Sequence, residues 1–155
     1  MSASPVPAAR ARGPLVDPRG VRFSAAVTSV VLVLVLLTGS GWLLAAQALV
    51  FAMGAFVSVQ VSPYSALFRV LVAPRLAPPA VGDDPAAVRF SQGVGFVFAA
   101  VGTAAYLSGA LVLGAVATAL ALGAAFLNAA FGFCLGCEMY ALIIRFRNRK
   151  QGVST

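Results

Sequence analysis

Two cysteines, Cys134 and Cys137, stand three residues apart in Cys134-Leu135-Gly136-Cys137, toward the end of the last long apolar run and ahead of a basic tail. Thiols at this spacing suit three chemistries. A pair whose first member starts a helix closes into a disulfide and reopens, so it can exchange electrons or sulfur with another thiol once one sulfur is held as thiolate. Two thiolates also supply half of a tetrahedral metal site, but there is no other cysteine and no histidine, so completion would require a second copy or a partner. Finally, both side chains serve as small apolar fillers between small residues. Glu138 follows directly and is the adjacent group able to assist proton transfer, although its charge raises a thiol pKa, whereas Arg145 and Arg147 lower it. The candidate site is therefore Cys134 and Cys137 as a redox pair with Glu138 as proton helper. No cofactor is called for and no metal-ligand set is complete.

The elements that position these thiols follow from composition. Of 155 residues, 61% are hydrophobic and 10% charged, which is too apolar for a water-soluble domain of this size. The net charge of +7 would suggest nucleic acid in a soluble protein. Here the basic residues border apolar runs in three clusters, a topological pattern that makes the lipid bilayer the expected partner and excludes nucleic acid. The notable polar groups inside the crossings are Gln47, Thr103, Thr118 and Asn128, with Gln60 and Gln92 nearer the cytoplasmic ends; none of these is ionisable, which argues against ion-coupled transport.

Apolar sequence fills residues 23–37, breaks at Thr38-Gly39-Ser40-Gly41, and continues over 42–61 to Ser62-Pro63, where proline stops a helix. Residues 64–89 read as a loop with one short surface helix. Apolar sequence resumes over 90–107, breaks at Ser108-Gly109, and runs from Ala110 nearly to Ile144. Because about 20 helical residues cross a hydrocarbon core, the expected fold is all-α, a bundle of four transmembrane helices in two hairpins. A cleavable leader ending near Ala46-Gln47-Ala48 is the competing reading of the first run. On a straight helix from Ala110, Cys134 would stand about 36 Å along the axis, at the far membrane boundary, with Gly132 and Gly136 permitting a kink beside it.

Positive charge orients the bundle. Arg10, Arg12, Arg19 and Arg22 precede the first run, Arg69, Arg75 and Arg89 lie in the central loop, and Arg145, Arg147, Arg149 and Lys150 follow the last. The two hairpin turns carry none, so both termini and the thiols are expected in the cytoplasm.

The stretch from Asp17 through Val27 recurs 67 positions later from Asp84 through Val94, with seven of eleven positions identical, including Asp-Pro and Arg-Phe-Ser. Both halves begin on one side, so the expectation is two parallel repeats about an axis along the membrane normal, each Asp-Pro capping its helix. Tyr64-Ser65-Ala66-Leu67-Phe68-Arg69 resembles Tyr140-Ala141-Leu142-Ile143-Ile144-Arg145, a register that sets the thiols opposite residues 58–61. The domain reading is a tail over 1–16, a membrane domain over 17–146 holding repeats 17–69 and 84–145, and a basic tail over 147–155.

Together, Asp17-Pro18-Arg19-Gly20-Val21-Arg22-Phe23, Ser62-Pro63-Tyr64, Pro74-Arg75-Leu76-Ala77-Pro78-Pro79, Val88-Arg89-Phe90-Ser91-Gln92 and Phe133-Cys134-Leu135-Gly136-Cys137-Glu138-Met139-Tyr140 resemble the DUF4395 family over about residues 17–146. Asp83 and Asp84 depart from a stretch expected to contain Glu. The resemblance implies a small, multi-pass protein of the bacterial plasma membrane, encoded near thioredoxin-like or rhodanese-like proteins. The expected function is thiol redox or sulfur handling through a cytoplasm-facing Cys-X-X-Cys, with a cytosolic thioredoxin-like or rhodanese-like partner. A channel or carrier for a small sulfur compound and a non-catalytic assembly subunit are the alternatives.

Overall fold

The computed structural model describes residues 15–152, so Arg10, Arg12 and most of the N-terminal tail lie outside it. Six α-helices follow one another: α1 Pro18–Thr38, α2 Gly41–Ala52, α3 Pro63–Leu71, α4 Pro85–Leu107, α5 Leu111–Phe131 and α6 Leu135–Gly152. A π turn, Met53–Val57, prolongs α2, and 3-10 turns lie at Val59–Val61 and Ala73–Arg75. The all-α expectation holds for the described residues. Helices α1, α4 and α5 are each long and apolar enough to cross a membrane, while Gly41–Val57 is apolar but shorter.

Local signals account for the helix ends. Asp17 and Asp84 take the same cap conformation, with φ −65°, ψ 117° and φ −65°, ψ 119°, and each carboxylate accepts a backbone N–H at 2.9 Å, from Arg19 and Ala86 respectively. Pro18 and Pro85 occupy the first turns, where a missing N–H costs no intrahelical bond. Gly39 ends α1, and the Ser40 hydroxyl accepts the Leu43 N–H at 3.2 Å to start α2.

The surface is as greasy as the interior. Leu37, Leu49, Val97, Val112 and Leu120 are 77%, 67%, 58%, 79% and 57% exposed, whereas the buried core is rich in small residues such as Ala48, Ala99, Ala117 and Ala121. That distribution is stable against lipid, not water, and close backbone approach replaces hydrophobic exclusion as the source of packing. Helix α2 runs antiparallel along α4 at such close range that a Cβ at Gly95 would come within 2.8 Å of the Phe51 ring, and one at Gly102 within 2.7 Å of Leu44. Helix α1 lies chiefly along α5, not along its hairpin neighbour α2.

Two arginines tie the helix ends across this exchange. Arg89, on α4, donates to the Ala55 and Phe56 carbonyls at 3.0 and 3.4 Å, where the π turn ends. Arg22, on α1, donates to the Ala129 and Ala130 carbonyls at 3.3 and 3.4 Å, at the end of α5. Those carbonyls have no intrahelical partner, and each guanidinium supplies one. Arg22→Ala and Arg89→Ala should each lower the unfolding midpoint in detergent by the equivalent of about 1 kcal/mol, since both strand carbonyls at a helix end.

Ahead of the long helices, Val16 and Asp83 form an antiparallel bridge through two backbone hydrogen bonds of 3.1 and 2.8 Å. Burial, and then the neighbouring charge of Asp17, push the Asp83 carboxyl above its ordinary range. A carboxyl raised in the fold favours folding while protonated, and that contribution is lost as pH rises through its folded value. Asp83→Asn should therefore raise the unfolding midpoint at neutral pH, with the difference vanishing below about pH 4, where both states are protonated.

Candidate functional site

The thiols do not ride on the last apolar helix. The expected continuous helix from Ala110 to the cysteines ends at Phe131, because Gly132 turns left-handed at φ 67°. Its N–H bonds the Asn128 carbonyl at 3.0 Å and the Phe133 N–H reaches Leu127 at 3.4 Å, closing α5 within two residues. The axial estimate of 36 Å made for an unbroken helix therefore does not apply. A separate helix, α6, starts immediately after Cys134.

Cys134 is the cap of that helix. Its carbonyl accepts the Glu138 N–H at 3.0 Å, and its sulfur accepts the Cys137 N–H at 3.3 Å. The two cysteines are joined as a disulfide with a Cα–Cα distance of 5.2 Å, inside the range a relaxed bridge spans. Both are half-buried. Cys137 packs against the Val21, Val59 and Val88 cluster, which Val16 of the Val16–Asp83 bridge also joins.

Helix α4 forms the floor of the site. Ser91 Oγ lies 3.4 Å from Cys134 Sγ, and the Phe90 and Tyr140 rings meet at 5.8 Å. Gly136 is buried against the same serine: a Cβ there would fall 2.6 Å from Ser91 Cα, which is backbone and cannot swing aside. The second variable position of the motif is glycine for that reason. On the open side, Phe131, Leu135 and Met139 are 73%, 38% and 47% exposed.

The charged candidates are placed less favourably. Glu138 is half-buried; its backbone N–H caps onto Cys134, and its carboxylate forms no hydrogen bond or ion pair among the described residues. Arg145 follows Cys134 by eleven positions, about 16 Å along the helix axis, too far to act strongly on the thiol. A cation the structure brings close is Arg22, whose side chain passes within 4 Å of where a Gly132 Cβ would stand, two residues ahead of Cys134. Neither Arg22 nor Ser91 could be singled out from the sequence, because both belong to the repeated Arg-Phe-Ser segment and its first copy, around Ser24, has no thiol beside it. Among the described residues no group of three or more His, Cys, Asp or Glu gathers to hold a metal.

Long lipid-compatible helices carrying a helix-capping disulfide at a helix break define a small helical protein of membrane type. The chain belongs to the DUF4395 family, a domain of unknown function whose pattern matches residues 16–145. No curated protein and no solved structure matches it.

Because the left-handed Gly132 closes α5 and aims the chain toward the site, Gly132→Ala should cost about 1 kcal/mol of stability and loosen the junction, read as a lower unfolding midpoint and faster proteolysis between α5 and α6.

Proposed function

We propose that this protein exchanges electrons between Cys134–Cys137 and a cytosolic protein carrying a dithiol or disulfide of the thioredoxin-like class. The observation that carries the reading is the cap geometry: Cys134 sits at the start of α6 with the Cys137 N–H aimed at its sulfur from 3.3 Å. A thiolate there meets a backbone donor and the positive end of the helix, which lowers its pKa, while Cys137 is screened by valines. Cys134 is thus the attacking sulfur and Cys137 the resolving one.

In the exchange, the Cys134 thiolate attacks the partner's disulfide, forming a mixed disulfide and releasing one partner sulfur as thiolate, which takes up a proton. The Cys137 thiolate then attacks Cys134 Sγ, restoring the internal disulfide and releasing the partner's second thiolate. Two electrons pass to the partner, and the reverse sequence returns them. A disulfide facing the reducing cytoplasm is transient, as such a cycle requires.

The same reading takes the bundle as four crossings with both termini cytoplasmic in the bacterial plasma membrane. Gly41–Val57 covers about 25 Å and runs beside α4 from Tyr106 and Leu107 to Gln92, so it occupies the same depth as a spanning neighbour. Duplication is supported by the bridge, which pairs Val16 with Asp83, positions 67 apart like the repeated segments themselves. The matched Asp caps and the reciprocal Arg22 and Arg89 bonds fit a two-fold axis through that bridge. Helices α3 and α6 each fold back on the first helix of their half, Phe68 on Phe23 and Tyr140 on Phe90, both at 5.8 Å. Aligning their starts sets Cys134 opposite Ser62 and Cys137 opposite Ser65, a shift of four from the register expected from sequence.

The test is mixed-disulfide trapping in membranes. Cys137→Ser should accumulate a reductant-sensitive adduct with a cytosolic dithiol protein, and Cys134→Ser should not. Absence of any adduct in Cys137→Ser would remove the proposal.

A further inference from the structure

We infer that Ser91 is the hydroxyl donor that stabilises the Cys134 thiolate when the disulfide is open, an inference that rests on the exchange reading above. Ser91 Oγ is 3.4 Å from Cys134 Sγ, which carries no proton as a disulfide or a thiolate, so the hydroxyl is the group that can donate; the Cys137 N–H reaches the same sulfur at 3.3 Å, and a side-chain donor on α4 and a backbone donor on α6 converge on one atom. Hydrogen bonds to the charged form of a group favour that form, and two fixed donors do so more than water does at a half-buried site.

The approach of Ser91 is built into the packing. Gly136 lets the first turn of α6 settle onto Ser91 so closely that a Cβ would stand 2.6 Å from its Cα and 2.9 Å from its Oγ. The Phe90–Tyr140 ring contact, with one member immediately ahead of Ser91 and the other one turn beyond Gly136, fixes how the two helices are rotated. The remaining charged groups around the sulfur are not aimed at it: Glu138 lies on the outgoing helix, Arg22 is engaged with the α5 carbonyls, and Arg89 with Ala55 and Phe56. Ser91 is the side chain positioned to donate to the reacting sulfur. It acts at the attack step, where the negative charge resides on Cys134 Sγ, and is released as that charge moves to the departing sulfur of the partner.

Full-length protein carrying Cys137→Ser leaves one thiol to report, and the pH profile of its alkylation by iodoacetamide gives the thiolate pKa. Adding Ser91→Ala should move the midpoint up by about half to one pH unit, discounted from a fully buried charged hydrogen bond because the site is half-open. In the protein with both cysteines, Ser91→Ala should make the pair more reducing, since the reduced form loses a stabilising bond. An unchanged alkylation midpoint together with an unchanged potential would overturn the assignment. The two proposals separate cleanly: a shifted midpoint without any trapped adduct sustains Ser91 and removes the partner reading, whereas an adduct with both midpoint and potential unmoved removes Ser91 alone.

Discussion

Backbone carbonyls in the last turn of a helix have no partner within the helix and must take a donor from elsewhere. Arg22 and Arg89 meet that demand, and much of the arrangement follows from where they reach. Each leaves the first turns of a long helix and bonds the last turn of a helix belonging to the other hairpin. The start of α1 is thereby fixed to the end of α5, and the start of α4 to the end of the α2 segment. Beyond α5, the left-handed Gly132 ends the helix and the next helix settles on α4. The helix that precedes the thiols is thus held at its end by an arginine over a hundred residues earlier.

The interior is compatible with this plan because small side chains are interleaved with a few large ones. Alanines and glycines on α2, α4 and α5 let backbones approach until Phe51 and Leu44 rest on bare glycine, and many other large aliphatic groups face outward. In lipid this costs nothing in exposed apolar area and gains close dispersion contact. Gly136 applies the same rule to chemistry: the contact that seats α6 on α4 also brings a hydroxyl and a sulfur to 3.4 Å.

The two halves are alike in frame and different in what they present. Both begin with an Asp-capped helix and an arginine reaching across, and both end in a helix folded back by an aromatic contact, nine residues long in the first half and eighteen in the second. At the starts of those helices stand Ser62 in one half and Cys134 in the other. A hydroxyl and a thiol occupy similar space, but only the thiol ionises near neutral pH and forms a reversible covalent bond. The cysteine pair therefore stands in the second half alone.

The residues alone determined the helical class, the turns at Gly39 and Gly109, the Asp-Pro helix starts and the thiol pair, because each follows from composition, periodicity or a capping preference within a few residues of chain. They did not disclose the break at Gly132, since a glycine in an apolar run serves equally as packing surface or as a left-handed stop, and the choice depends on what holds the preceding carbonyls. Nor did they single out Ser91 over Glu138 or Arg145. Proximity along the chain favoured the charged neighbours of the cysteines, whereas the sulfur's surroundings are set by a helix more than forty residues away. Which groups meet across that distance is a property of how helices pack, and no local rule contains it.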